Sequence, residues 1–188
     1  TNNNDLNDFV KYKIISPNKK TKIVPGCGVS SSFFYPKKKL INKKNILMIA
    51  RLQSEKGVNE YLHLANKYKN LGYNFTLVGS INSSDPSCIK LSTLKSLVSD
   101  KIINHIPFTS NVLSLYDSAD CFILPSYREG LSHSLLTALA HGRPIIATDV
   151  PGCREVVQNN FNGYLFSYLI TVELSLHFIF SALERLLI

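Results

Sequence analysis

The 188-residue sequence lacks the short motifs that mark the commonest catalytic and nucleotide-binding loops. It has no G-x-S-x-G, no P-loop and no G-x-G-x-x-G, which argues against hydrolase, NTPase and dinucleotide-binding functions. Its five histidines form no H-E or H-x-x-x-H pair, and no D-x-D is present to hold a metal–diphosphate complex. We therefore expect no bound metal.

Cysteines are few and are not arranged as a scaffold. Cys27, Cys88, Cys121 and Cys153 show no C-x-x-C spacing, and Cys121 lies in a strongly apolar run. This pattern favours a reduced, cytoplasmic protein over a disulfide framework or a zinc site.

Long uninterrupted apolar runs are also missing. The stretch 165–187 is apolar, but Glu173, Glu184 and Arg185 interrupt it, so we predict a packed helix at 171–187 and no membrane span. No signal peptide is evident. The chain starts without Met, which suggests a fragment, and residues 1–8 are Asn-rich and predicted to be disordered.

Acidic residues are scarce, with 13 Asp and Glu against 21 Lys and Arg, a net charge of +8. Much of the excess lies between Lys19 and Lys44. It fits a solvated basic surface, or else attraction to anionic lipid headgroups at the inner membrane face or to a phosphorylated substrate. No recognisable nucleic-acid module accompanies the charge, so nucleic acid is not expected as a partner.

Hydrophobic residues make up 45% of the chain and are grouped as alternating strand and helix patterns. The pattern predicts strands at 45–50, 75–78, 102–105, 121–124, 145–148 and 164–166. It predicts helices at 58–71, 89–98, 112–118, 134–140 and 171–187. This alternation predicts an α/β fold, a doubly wound parallel sheet of about six strands in the order 3-2-1-4-5-6.

The residues before the first core strand carry only short secondary-structure patterns. Residues 22–24 are a short strand candidate, and 9–15 fit either a helix or an extended segment. We interpret 1–44 as an N-terminal extension ending in a basic linker, 37–44, and 45–188 as one Rossmann-like domain.

The loop after the first predicted strand carries two cations that suit phosphate binding. Arg51 and Lys56 are five residues apart on an irregular loop, so both could reach one pyrophosphate. Gly57, which follows, would let the backbone come close to a ligand. The alternative is two solvated surface cations.

The stretch from residue 124 to 157 reads LPSYREGLSHSLLTALAHGRPIIATDVPGCREVV, a strand, a polar loop, an apolar helix and a second strand. The phrases PSYREGL, SLL and A-x-G-R-P-I-I-A-T-D-V-P-G-C-R-E-V-V resemble the donor-binding half of GT-B glycosyltransferases. More narrowly they resemble the retaining group 1 (family 4) enzymes of bacterial capsule, O-antigen and glycan-lipid assembly. The resemblance covers about residues 46–166 and implies that the Rossmann-like sheet is one half of a GT-B fold.

The resemblance implies roles for several residues. Arg51 and Lys56 would grip the nucleotide diphosphate and stabilise charge on the leaving group. Glu129 would face the donor sugar, with backbone N–H groups of Gly130 and Leu131 offered to the donor at the start of the next helix. The alternative for Glu129 is a residue that only favours the helix N-terminus through its dipole.

Other implied contacts lie along the same sheet edge. Gly79, with Ser80 after it, would border the nucleotide, and Phe108 and Thr109 would lie alongside the base. Thr137 stands where the family has a second Glu that binds the ribose, which implies either a weaker ribose contact or decay of the site. The turn 149–152, with Arg154 and Glu155 behind it, fits either a ligand-facing turn or one held by its own side chains.

The function implied by the resemblance is transfer of a hexose or N-acetylhexosamine from a nucleotide-diphosphate sugar, such as a UDP-sugar, with retention. The acceptor would be a glycan or a lipid-linked glycan. About 45 residues precede the first core strand, too few for an acceptor-binding α/β domain, so an acceptor domain on a partner chain is expected. The alternative is a non-catalytic nucleotide-sugar-binding or assembly module, or a remnant.

Overall fold

The computed structural model describes residues 3–24, 28–34 and 44–167, together with positions 179, 181, 182, 184 and 185. Its centre is a six-stranded parallel sheet in the order β3-β2-β1-β4-β5-β6. The strands are β1 (Asn45–Ile49), β2 (Asn74–Val78), β3 (Asn104–Ile106), β4 (Cys121–Leu124), β5 (Ile145–Thr148) and β6 (Gly163–Phe166). The predicted fold class and strand order are confirmed.

Helices alternate with the strands, as the sequence predicts. They are α1 (Asn3–Lys11), α2 (Val58–Tyr68), α3 (Leu91–Ser99), α4 (Val112–Ser118), α5 (His133–Ala140) and α6 (Pro151–Arg154). The strand β3 starts two residues later than predicted. The N–H groups of Ile102 and Ile103 both point back to the carbonyl of Leu97 in α3, at 2.9 and 3.4 Å, so they close the helix instead of joining the sheet.

The middle of the sheet holds the core. All residues of β4 and β5 are buried, as expected for strands covered on both faces. β1 pairs with β2 along five residues but with β4 only at Ile46–Cys121 and Leu47–Phe122. Because the chain leaves β1 toward β2 and leaves β4 toward β5, a crevice opens where β1 and β4 end, the position at which α/β sheets bind ligands.

The N-terminal predictions are partly wrong. Residues 3–8, predicted to be disordered, belong to α1. The same helix continues to Lys11, so residues 9–11 of the segment 9–15 are helical. The carboxylate of Asp5 in the first turn accepts from Arg128 at 3.1 Å, a contact that no local pattern indicates. Residues 22–24 form no strand. Most of the predicted linker and of the helix at 171–187 lies outside the described residues.

Within the part of the chain that the structure describes, no helix combines the length and the apolar character needed to cross a bilayer.

Candidate functional site

Two loops meet above the carboxyl ends of β1 and β4. The first follows β1 and ends at Gly57, and the second runs from Pro125 to Ser132, where α5 begins. Gly57 has φ +73°, and a Cβ added there would lie 2.0 Å from the carbonyl oxygen of Pro125. The N–H of Tyr127 also donates to the carbonyl of Glu55 at 2.9 Å. The loops are therefore joined backbone to backbone, and glycine is needed at their contact.

A nearly buried ion pair lies where these loops join. Lys56 Nζ donates to Glu129 Oε1 at 3.0 Å, with the lysine side chain 15% exposed and the glutamate 10%. The hydroxyl of Ser126, which is fully buried, donates to the same oxygen at 2.8 Å. The structure thus brings together Lys56 and Glu129, two of the three residues that the sequence analysis places at the centre of the site.

Arg51 lies at the start of the first loop and faces solvent. Its side chain is 68% exposed and forms a 3.2 Å ion pair with Glu55, four residues further on. Exposed ion pairs of this kind contribute little to stability, so Arg51 can exchange Glu55 for an anionic ligand at small cost.

The loop holding Glu129 leans on the turn after β5. A Cβ at Gly152 would come within 2.3 Å of the carbonyl oxygen of Gly130 and 2.5 Å of that of Glu129. Arg154 closes the same turn by donating to the Asp149 carboxylate and, at 3.0 Å, to the Asp149 carbonyl. The turn is thus held by its own side chains, and Gly152 supports the Glu129 loop from below.

The remaining predicted contacts lie along the sheet edge toward β3. A Cβ at Gly79 would be 2.1 Å from the carbonyl oxygen of Ala50, so the ends of β2 and β1 also touch. Phe108 is 84% exposed, and the hydroxyl of Thr109 accepts from the N–H of Asn111 at 3.1 Å. Contacts of Gly79, Phe108 and Thr109 with a nucleotide remain predictions.

Thr137 is buried in the middle of α5. Its hydroxyl donates to the carbonyl of His133 at 2.9 Å, one turn back, and only 3% of the residue is exposed. Leu131 is half-buried against the core, and Gly130 lies on the loop before α5. The ribose contact of Thr137 and the backbone contacts of Gly130 and Leu131 remain predictions.

Two neutral groups near the site are held in their protonated forms. Tyr127 OH donates to Glu60 Oε1 at 2.6 Å, and this bond, followed by partial burial, raises the pKa of Tyr127 to about 12. Burial, reinforced by the negative charge of Glu129, raises the pKa of Cys153 to about 12. Cys153 is therefore an uncharged part of the packing under the site.

Among the described residues, no group of three His, Cys, Asp or Glu side chains lies close enough to hold a metal ion. Independence from metal remains a prediction.

Sequence reasoning missed two residues of the site, Ser126 and Thr148. The hydroxyl of Thr148, at the end of β5, donates to the carbonyl of Ser126, whose own hydroxyl reaches Glu129. A serine two residues after the buried strand β4 is the one available signal, because a polar side chain so close to the core needs a partner.

The fold and the crevice define a Rossmann-like domain with a charged site at its topological switch point. The sequence of residues 32–168 matches the family described as glycosyl transferases group 1, and the chain belongs to that family. The resemblance carried by the motifs is thus confirmed.

Two curated relatives illustrate the match. The chain is 35% identical over 154 residues to N,N'-diacetylbacillosaminyl-diphospho-undecaprenol alpha-1,3-N-acetylgalactosaminyltransferase of Campylobacter jejuni, covering 75% of this chain and 39% of that protein. It is 29% identical over 181 residues to the capsular polysaccharide biosynthesis glycosyltransferase CapM of Staphylococcus aureus, covering 85% and 46%. The chain therefore spans less than half the length of these relatives.

Solved structures show the same fold. The pneumococcal O-GlcNAc transferase GtfA, in complex with UDP and GlcNAc, superposes with a TM-score of 0.76 at 19% identity, covering 97% of this chain and 36% of that one. Sucrose-phosphate synthase from Thermosynechococcus elongatus gives 0.73 at 20% identity, covering 98% and 47%.

Proposed function

We propose that residues 45–188 are the nucleotide-sugar-binding domain of a retaining glycosyltransferase. It uses a UDP-sugar whose sugar is a hexose or an N-acetylhexosamine. The observation that carries the proposal is the Lys56–Glu129 pair, held at the switch point of the sheet by two loops in backbone contact. The Campylobacter relative, named as an N-acetylgalactosaminyltransferase acting on a diphospho-undecaprenol-linked sugar, supports an N-acetylhexosamine and a lipid-linked glycan acceptor.

In this proposal Arg51 and Lys56 hold the diphosphate. Without ligand, Glu129 balances the charge of Lys56, and Glu55 that of Arg51. A diphosphate brings two or more negative charges, so it can draw both cations toward itself while Glu129 turns to a sugar hydroxyl. As the sugar–phosphate bond breaks, the two cations stabilise the charge that develops on the leaving diphosphate, with no metal required.

The other partners follow from the same proposal. The acceptor, a glycan or a lipid-linked glycan, is bound by an acceptor domain across the cleft. The net charge of +8 favours peripheral contact with an anionic membrane face on the cytoplasmic side.

Calorimetric titration with UDP tests the donor site. We expect Arg51→Ala to lower the affinity at least about tenfold, because a hydrogen bond between charged groups is lost at an exposed position that contributes little to folding. Lys56→Ala should lower it further. Lys69→Ala, which removes an exposed cation after α2, is the matched control and should leave binding unchanged. A folded wild-type protein that binds no UDP would refute the proposal.

A non-catalytic nucleotide-sugar-binding module is the second candidate. The burial of the Thr137 hydroxyl against the His133 carbonyl favours it, since this hydroxyl is already engaged within the helix. Binding of a UDP-sugar without transfer, in a protein supplied with an acceptor domain and acceptor, would identify this second function.

A further inference from the structure

We propose that Ser126 is a positioning residue, an inference that rests on the proposed function. It fixes the carboxylate of Glu129 so that one oxygen stays hydrogen-bonded within the protein and the other faces the donor sugar. No motif discussed above assigns a role to Ser126.

The first support is the geometry around Glu129. Two donors converge on the single oxygen Oε1, the Ser126 hydroxyl at 2.8 Å and Lys56 Nζ at 3.0 Å. A carboxylate with one oxygen bound twice is fixed in rotation, and its second oxygen, Oε2, has a defined direction. A preorganised acceptor of this kind is what orientation of a sugar hydroxyl requires.

The second support is that Ser126 is itself fixed. It is fully buried, two residues after the end of β4, and its carbonyl accepts a hydrogen bond from the hydroxyl of Thr148 on β5. Ser126 is therefore anchored to β5 at the point where its loop leaves β4. Lys56, in contrast, is on a loop and must respond to the ligand.

This difference gives Ser126 a specific task. When a diphosphate draws Lys56 away, the Ser126 hydroxyl remains as the donor that keeps Glu129 in place. Without that hydroxyl, Glu129 would be held by Lys56 alone, and the same lysine would have to serve both the carboxylate and the diphosphate.

A double-mutant cycle tests the proposal, with calorimetric titration of UDP and of UDP-N-acetylgalactosamine. We expect Ser126→Ala to lower the affinity for the sugar nucleotide about tenfold, the loss typical of one hydrogen bond to a charged group. In a Glu129→Ala background the same substitution should change affinity less than about twofold. Ser96→Ala, which removes a hydroxyl-to-carboxylate bond to Asp100 on the surface of α3, is the matched control and should have no effect.

Each outcome is decisive. An equal loss from Ser126→Ala with and without Glu129 would show that the serine acts only on folding or on the loop, and would overturn the proposal. If the wild type binds neither UDP nor UDP-N-acetylgalactosamine, the proposed function is refuted. The contact of Ser126 with Glu129 is then tested by a measurement that needs no ligand. The side-chain carboxyl ¹³C resonance of Glu129 should then move in Ser126→Ala and stay unchanged in Ser96→Ala. An unmoved resonance would refute the inference.

Discussion

At the scale of single residues, the site is built from charges that neutralise one another. Lys56 and Glu129 have little contact with water, so each depends on the other, and removing either leaves a poorly solvated charge behind. Arg51 is largely solvated and carries no such dependence. Substitutions at Arg51 therefore report on binding, whereas substitutions at Lys56 combine binding with stability.

The phenol of Tyr127 gives a pH-dependent prediction. Its bond to Glu60, then burial, raises the pKa of Tyr127 from 10.0 to about 12, so the folded state holds this proton more tightly than the unfolded chain. The resulting stabilisation is complete below pH 10.0 and is lost as the pH rises through about 12.

Tyr127→Phe should accordingly lower the free energy of unfolding by at most about 1 kcal/mol near neutral pH, since the residue is partly exposed. The difference from wild type should disappear between pH 10.0 and about 12. Denaturant unfolding of both proteins across this range measures it. Ultraviolet titration of both proteins provides the check, because it counts the tyrosines that ionise at each pH. If Tyr127→Phe removes a tyrosine that ionises at the ordinary pH of about 10, the pKa of Tyr127 is not raised and the prediction is contradicted.

At the scale of elements, the close contact between the loops after β1 and β4 depends on Gly57. Gly57→Ala should destabilise the protein by at least about 2 kcal/mol more than Gly72→Ala, because both glycines have positive φ but only at Gly57 would the new methyl meet backbone atoms. Urea unfolding gives the two values. The strain of placing alanine at positive φ is common to both variants and cancels when their unfolding free energies are compared. Equal losses of stability would therefore show that the two loops can move apart at no cost.

The same scale shows what the sequence could predict. Apolar runs bounded by turn residues located β4, β5 and α4 to the residue, because fully buried strands and amphipathic helices leave a strong local pattern. The start of β3 was misplaced because Ile102 and Ile103 are as apolar as strand residues, yet their N–H groups close α3. Local hydrophobicity does not determine which partner an amide takes.

The candidate site was predicted only in outline for a related reason. Lys56 and Glu129 were proposed from the cationic loop and from the resemblance, and the structure brings them together. Ser126 was missed although it is only three residues from Glu129, because spacing does not show that its hydroxyl turns toward that carboxylate. Thr148 was missed because its hydrogen bond to the Ser126 carbonyl joins β5 to the loop after β4, and a whole helix separates the two in the sequence. The pairing of α1 with Arg128 is equally non-local.

At the scale of the whole molecule, stability should be highest in the middle of the sheet. Hydrogen exchange should be slowest in β1, β4 and β5, which are central and buried, and fastest in α1, which has no buried residue. UDP should add protection chiefly at residues 50–58 and 125–135, on both sides of the crevice. Protection by UDP confined to the far edge, around α3, would contradict the proposed site.

The contact of Gly152 with the carbonyls of Glu129 and Gly130 also bears on engineering. The loop after β4 and the turn after β5 are in backbone contact there. The distance of Glu129 from the sheet is therefore set by a segment more than twenty residues downstream. A chimera that imports the 125–132 loop from a relative with another donor preference should misplace its carboxylate unless residues 149–154 are transplanted with it.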